Sequence, residues 1–200
     1  MNLASMISDG VLALASFALV RPLVAGGRER SMAALGLGLI GAAALCGSVR
    51  FAGVEGLRWV HQALSDAATA ISMPTLGAAA LGLAWPLRIS ARGWTGWLGA
   101  LAGLFVAARV LEVMASYGLV IGALGTVGVL AAGVRGHGRW PGGARLLIVG
   151  GVLVLVAGLG VGNSGEIGGV ARLDVFHYLL AASNLALGAG FLRIGERAGR

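Results

Sequence analysis

Four residues in this 200-residue chain have the types and spacing to share chemistry: Asp9, His61, Asp174 and His177. Asp174 and His177 lie three apart, so on a helix they stand one turn apart and face one point. A carboxylate and an imidazole in that relation can ligate a metal or form an oriented acid–base pair, as Glu-x-x-His does in helical bundles. Asp9 and His61, from other segments, would complete a His/Asp ligand set, for which zinc or iron is the expected metal. Such a metal lowers the pKa of a bound water and makes it a nucleophile. Asp66, Ser65 and Glu112 are the candidate catalytic groups around it, with Asp66 or Glu112 as general base. Arg109 or Arg50 would bind substrate, holding an anionic headgroup or an oxyanion.

Each of these residues also has a purely structural reading. Asp9 can cap the start of the first helix, and Asp174 the start of the last. Arg109 and Glu112 are spaced as an intrahelical ion pair. Arg50, Glu55 and Arg58 read as loop charges. Gln62, Thr69, Ser72 and Asn184 read as hydrogen-bonding groups between helices. His61, Ser65, Thr69 and Ser72 follow a spacing that places them on one helix face.

The elements that must position these groups are membrane helices. The hydrophobic fraction is 58% and the charged fraction 12%, about half the roughly 25% of a soluble domain. Mean hydropathy is +0.89, and 36 residues are Gly. A chain this poor in charge cannot cover a soluble core, so it reads as a multi-pass, all-α membrane protein. Apolar runs predict seven spans forming a single domain over 1–200: Leu3–Val20, Met32–Val49, Val54–Leu83 with a kink at Pro74, Trp94–Met114, Gly118–Val134, Arg145–Val161 and Leu173–Ile194. Ala115-Ser116-Tyr117 is the expected break between the fourth and fifth. The first span lacks a basic leader and contains Asp9, so it is not read as a cleaved signal peptide.

All 15 basic residues are Arg. For seven spans, the loops after the first, third and fifth, with the C-terminal tail, hold eleven of them: Arg21, Arg28, Arg30, Arg88, Arg92, Arg135, Arg139, Arg145, Arg193, Arg197 and Arg200. Arg50, Arg58 and Arg172 fall on the other side. The bias places the N-terminus outside and the C-terminus inside the cell membrane. Trp85, Trp94, Trp97 and Trp140 then fall near cytoplasmic ends, where amphipathic rings anchor. An ionisable group inside a span is unfavourable by about 2.5–3.5 kcal/mol and is a functional candidate by default. The buried candidates all fall in the outer third. Gly99-x-x-x-Gly103, Gly118-x-x-x-Gly122 and Gly158-x-x-x-Gly162 are small-residue motifs suited to tight helix packing.

Several classes are excluded. With no Lys, there is no Schiff base and no retinal attachment. Cys46 stands alone, so there is no internal disulfide and no multi-Cys metal site. The +7 charge is accounted for by topology, and no nucleic-acid partner is expected.

Ser8-Asp9-Gly10-Val11-Leu12-Ala13-Leu14, Gly47-Ser48-Val49-Arg50-Phe51-Ala52-Gly53 and Asp174-Val175-Phe176-His177-Tyr178-Leu179-Leu180 resemble segments of a bacterial family of seven-helix integral membrane proteins built on a domain of unknown function. More distantly, Asp174-x-x-His177 in the last helix, with His61, Ser65 and Asp66 in the third, is similar to the alkaline ceramidase and adiponectin-receptor-like superfamily. That resemblance implies a seven-helix membrane hydrolase using Ser, Asp and His around zinc. Ala181 replaces the second last-helix His, so His/Asp ligands would stand in for three His.

The leading expectation is a metal-dependent intramembrane hydrolase of a lipid or amide near the outer leaflet. One alternative is a non-enzymatic sensor or receptor, or a subunit stabilising a protein partner, with the polar groups binding a small molecule or lipid or locking the bundle. A homo-oligomer is compatible with either. A further alternative is a haem or quinone electron carrier using His61 and His177.

Overall fold

The computed structural model describes residues 2–85, 87 and 89–195. Arg88, Arg197 and Arg200, which enter the orientation count, lie outside the described residues. Seven helices occur among those described: α1 (Leu3–Val24), α2 (Arg28–Phe51), α3 (Glu55–Ala84), α4 (Ala91–Val110), α5 (Met114–Gly136), α6 (Pro141–Val161) and α7 (Arg172–Gly195). A two-residue antiparallel ribbon, Glu166–Ile167 with Val170–Ala171, joins α6 to α7.

Six of the helices are long and apolar enough to cross a membrane, and the chain reads as a multi-pass membrane protein. The helix that does not qualify is α4, taken above as a span over Trp94–Met114. It carries Arg92, Arg109, four Gly and two Trp in twenty residues, which dilutes its apolar content. It also packs loosely: only Trp94, Leu101 and Ala108 of α4 are buried.

Local chemistry explains most boundaries. Asn2 caps α1, its side-chain oxygen accepting from the Ser5 N–H at 3.2 Å. Asp9 therefore does not cap this helix; it sits well inside the helix and is buried. Ser90 caps α4 by accepting from the Gly93 N–H. The break between α4 and α5 comes at Leu111–Val113, before the expected Ala115-Ser116-Tyr117, which is helical. Glu112 makes the turn with φ of 58°, a left-handed conformation that ends the helix. The kink expected at Pro74 takes the form of a π-helical turn over Ala68–Ser72. Pro74 has no N–H to bond one turn back, and the widened turn accommodates the loss.

The packing is built on small residues, though not mainly on the motif pairs singled out above. Among those, Gly118 packs against Thr69, but a Cβ at Gly99, Gly103, Gly122 or Gly158 would meet nothing. The closest helix crossing joins α3 to α5, where Gly77, Gly125 and Gly128 bring the backbones together. Leu23, Leu37, Leu76, Val129, Leu147, Leu187 and Phe191 fill the main core. Trp94 belongs to that core as well and is 3% exposed, so it is not an interfacial anchor as its position near a helix end suggested. Asn184 donates to Ser16 Oγ at 2.8 Å, tying α7 to α1 as expected of a polar residue between helices.

Candidate functional site: a carboxylate–imidazole network at one end of the bundle

The N-terminal turns of α1, α3 and α7 and the C-terminal turns of α2 meet at one end of the bundle. The Asn2 N–H donates to the Phe51 carbonyl at 3.0 Å. Ser48 Oγ donates to the Met6 carbonyl at 2.9 Å. These bonds fix α1 against α2 next to the ionisable groups. On α1, Ser5, Ser8, Asp9, Leu12 and Ser16 form one buried stripe, so the polar groups share the face that the helix presents to its neighbours.

Three of the four expected metal ligands are in one hydrogen-bonded group. Asp9 Oδ1 lies 3.0 Å from His177 Nδ1. Ser8 Oγ donates to Asp174 Oδ1 at 2.9 Å and lies 3.3 Å from His177 Nδ1. A hydroxyl has one proton, and the carboxylate is the stronger acceptor. His177 Nδ1 then carries the proton that faces Asp9 and Ser8, and Nε2 keeps its lone pair. Asp174 stands in the first turn of α7, but its Oδ1 is turned to Ser8 on α1. Ser8, Asp9, Asp174 and His177 are all buried.

His61 joins from α3 through Gly47. A Cβ built at Gly47 would meet both Asp9 Oδ2 and His61 Nε2. The missing side chain is what lets the carboxylate and the ring approach across α2. On its other side, His61 Nδ1 lies 3.0 Å from Arg50 Nη1. A guanidinium can only donate, so Nδ1 is an acceptor. In the neutral ring the proton then sits on Nε2, the nitrogen beside Gly47. Phe51 packs edge-on to this imidazole, with ring centres 6.0 Å apart, and the Arg50 guanidinium lies 4.9 Å from the centre of the same Phe51 ring. Arg50 is thus part of the network and not a loop charge.

Two features leave this network short of positive charge. Asp9 Oδ2 is buried without a hydrogen-bond partner. With both imidazoles neutral, the group holds two carboxylates, Asp9 and Asp174, and one guanidinium, that of Arg50. A buried surplus negative charge is costly unless a cation or proton offsets it. Among the described residues, no three His, Cys, Asp or Glu side chains are grouped as a ready-made metal site. Ser8 stands between Asp174 and His177 and separates their donor atoms.

The remaining site candidates lie elsewhere. Arg109 pairs with Asp66 across α4 and α3, Nη1 to Oδ2 at 2.5 Å. The intrahelical pair expected with Glu112 does not form this way, because Glu112 has left the helix and is exposed in the turn. Gln62 Nε2 donates to Asp66 Oδ1 at 3.2 Å. Ser65 is engaged through its backbone carbonyl, which accepts from Thr69 Oγ1 at 2.9 Å. Asp66, Arg109, Gln62 and Thr69, with Met114, Ala115 and Gly118, line an open cleft of about 350 Å³ between α3, α4 and α5. The expected single face from His61 to Ser72 is therefore split. His61 turns to α1 and α2, Thr69 lines the cleft, and Ser72 is buried. The π-turn over Ala68–Ser72 shifts the helical phase between them.

Sequence reasoning left Ser8 and Gly47 out of the site. The signal for Ser8 was its place on the stripe with Ser5, Asp9 and Ser16. Gly47 carried no signal, since one Gly among 36 says nothing of what its missing Cβ makes room for. No protein-family model, curated protein or solved structure matches the chain.

Proposed function

We propose that this is a seven-span protein of a bacterial inner membrane, N-terminus outside, with the network around Asp9 as a cation site at the outer end. The chemistry it serves is metal-dependent hydrolysis of a lipid or amide bond near the outer leaflet. The partnerless, buried Asp9 Oδ2 is the observation that carries the reading. The Arg bias supports the orientation, with α4 as the least apolar of seven membrane-crossing helices.

The donor set fits a cation in charge and in open valence, though not as a preformed cluster. Asp9, Asp174 and His177 would hold it, His177 through Nδ1 with the cation replacing the proton now facing Asp9, three protein donors being the usual number where a water is to be activated. A bound zinc would supply a water of lowered pKa. The chain's own groups do the rest. Ser8 orients Asp174, Gly47 gives the Asp9 carboxylate its space, and Arg50 holds the His61 ring beside it. In its Nε2–H tautomer His61 offers no lone pair at Nε2, so it is not counted among the ligands. The Asp174-x-x-His177 resemblance to membrane hydrolases points the same way.

A second reading has its own support. Ser8 already bridges Asp174 and His177, and the group is buried. That is the arrangement of a polar lock holding α1, α2, α3 and α7 together in a non-enzymatic sensor or partner-binding subunit. Metal stoichiometry on the purified chain separates the two, together with zinc-dependent thermal shifts of the parent, Asp9→Asn and His177→Ala. The cation reading expects close to one metal per chain, lost in His177→Ala. Metal-free protein with a melting temperature indifferent to zinc would overturn it and leave the lock.

A further inference from the structure

The cleft between α3, α4 and α5 presents opposite charges side by side over an apolar wall. Arg109 and Asp66 form its polar floor, with side-chain exposures of 51% and 15%. Met114, Ala115 and Gly118 form the wall. We propose that this cleft binds a zwitterionic phosphoethanolamine group, that of a phospholipid headgroup at the outer face of the membrane.

The chemistry of each group fits one half of that ligand. Arg109 engages Asp66 through Nη1, and among the described residues its Nη2 and Nε have no partner. Those donors suit a phosphate, which guanidinium binds in a planar, forked manner. Asp66 is oriented by Gln62 Nε2 on Oδ1 and carries the negative charge that an ammonium requires. Thr69 donates its hydroxyl proton to Ser65 O, so its oxygen lone pairs remain free to accept an ammonium N–H. A lone anion would meet the repulsion of Asp66, and a lone cation that of Arg109. A zwitterion meets neither, since each end lies against its opposite charge. The small side chain of Ala115 leaves room for the glycerol and first acyl carbons beside Met114. The cleft uses none of the proposed cation donors, so its occupancy stands apart from the hydrolase reading.

Native mass spectrometry of the full chain, released from detergent with added lipid, tests the proposal. Phosphatidylethanolamine is expected to be retained over phosphatidylglycerol by about tenfold, the factor one hydrogen bond between charged groups is worth. Phosphatidylcholine, whose quaternary ammonium has no N–H to donate, should fall between them. Asp66→Asn should abolish the preference while leaving the lipids bound through Arg109. Arg109→Gln should weaken all three. Met114→Trp fills the cleft without touching either charge and should displace the lipid, which guards against a folding defect in the charge variants. Soluble phosphoethanolamine is the second arm. Its binding without acyl chains would assign the same chemistry to a free ligand, and dependence on the chains would assign it to the membrane. Equal retention of phosphatidylethanolamine and phosphatidylglycerol, or a preference that survives both Asp66→Asn and Arg109→Gln, would overturn the proposal.

Discussion

Gly47→Ala places one methyl group where the network has its tightest point. A Cβ there would touch Asp9 Oδ2, lie 2.8 Å from His61 Nε2 and 3.0 Å from Asp9 Cγ. All three atoms belong to side chains, so relief comes by moving the carboxylate and the ring and not the helices. Overpacking of this kind costs about 1–3 kcal/mol. Displacing Asp9 also weakens its contact with His177, and a hydrogen bond to a charged group is worth about 1.5–3 kcal/mol. Against this, Ala is favoured over Gly inside a helix by about 1 kcal/mol. The expected net loss is about 1.5–5 kcal/mol, or roughly 3–20 °C in melting temperature at about 2–4 °C per kcal/mol for a chain of this length. Gly99→Ala is the matched control, because a Cβ at Gly99 meets nothing within 4 Å. It should keep the helix gain and melt at or slightly above the parent. The assay is thermal unfolding in one detergent, followed by circular dichroism. If Gly47→Ala melts with or above Gly99→Ala, the packing of Asp9 and His61 against Gly47 is not as described and the network argument fails.

Three further outcomes follow from the same geometry. Ser8→Ala removes the donor to Asp174 Oδ1 and should destabilise by about 1–3 kcal/mol, the cost of an unsatisfied buried acceptor; unchanged thermal unfolding would count against the bond. Gly125→Ala drives a Cβ into the backbone of Met73 and Pro74, which cannot yield as a side chain does. It should be more damaging than Gly47→Ala, with a lower yield of monodisperse protein by size-exclusion chromatography. Reporter fusions check the proposed orientation: a C-terminal fluorescent protein that folds only in the cytoplasm should fluoresce, and an N-terminal tag should be accessible from outside the cell membrane. Dark C-terminal fusions would reverse it.

Composition was enough to establish the class of this chain. With 12% charged residues, the fold must satisfy its backbone hydrogen bonds within lipid, and apolar runs of about twenty residues do so as helices. Helix positions were legible for the same reason, since apolar length is a local property. Ionisable residues inside apolar runs marked Asp9, His61, Asp174 and His177, because intramembrane charge is unfavourable wherever the helix packs. Which of them meet is a different kind of fact. The Asp174–His177 spacing lies within one helix and was readable. The Asp9–His177 contact spans 168 positions, and nothing local encodes it. Arg109 and Glu112 looked like partners by spacing, yet one residue in a left-handed turn removed Glu112, and Asp66 from another helix took its place. The π-turn before Pro74 likewise divided a polar stripe that helical periodicity had joined. Side-chain types and spacing set out the donors available. Helix rotation and close approach at glycines such as Gly47 selected the partners, because both depend on contacts between segments distant along the chain.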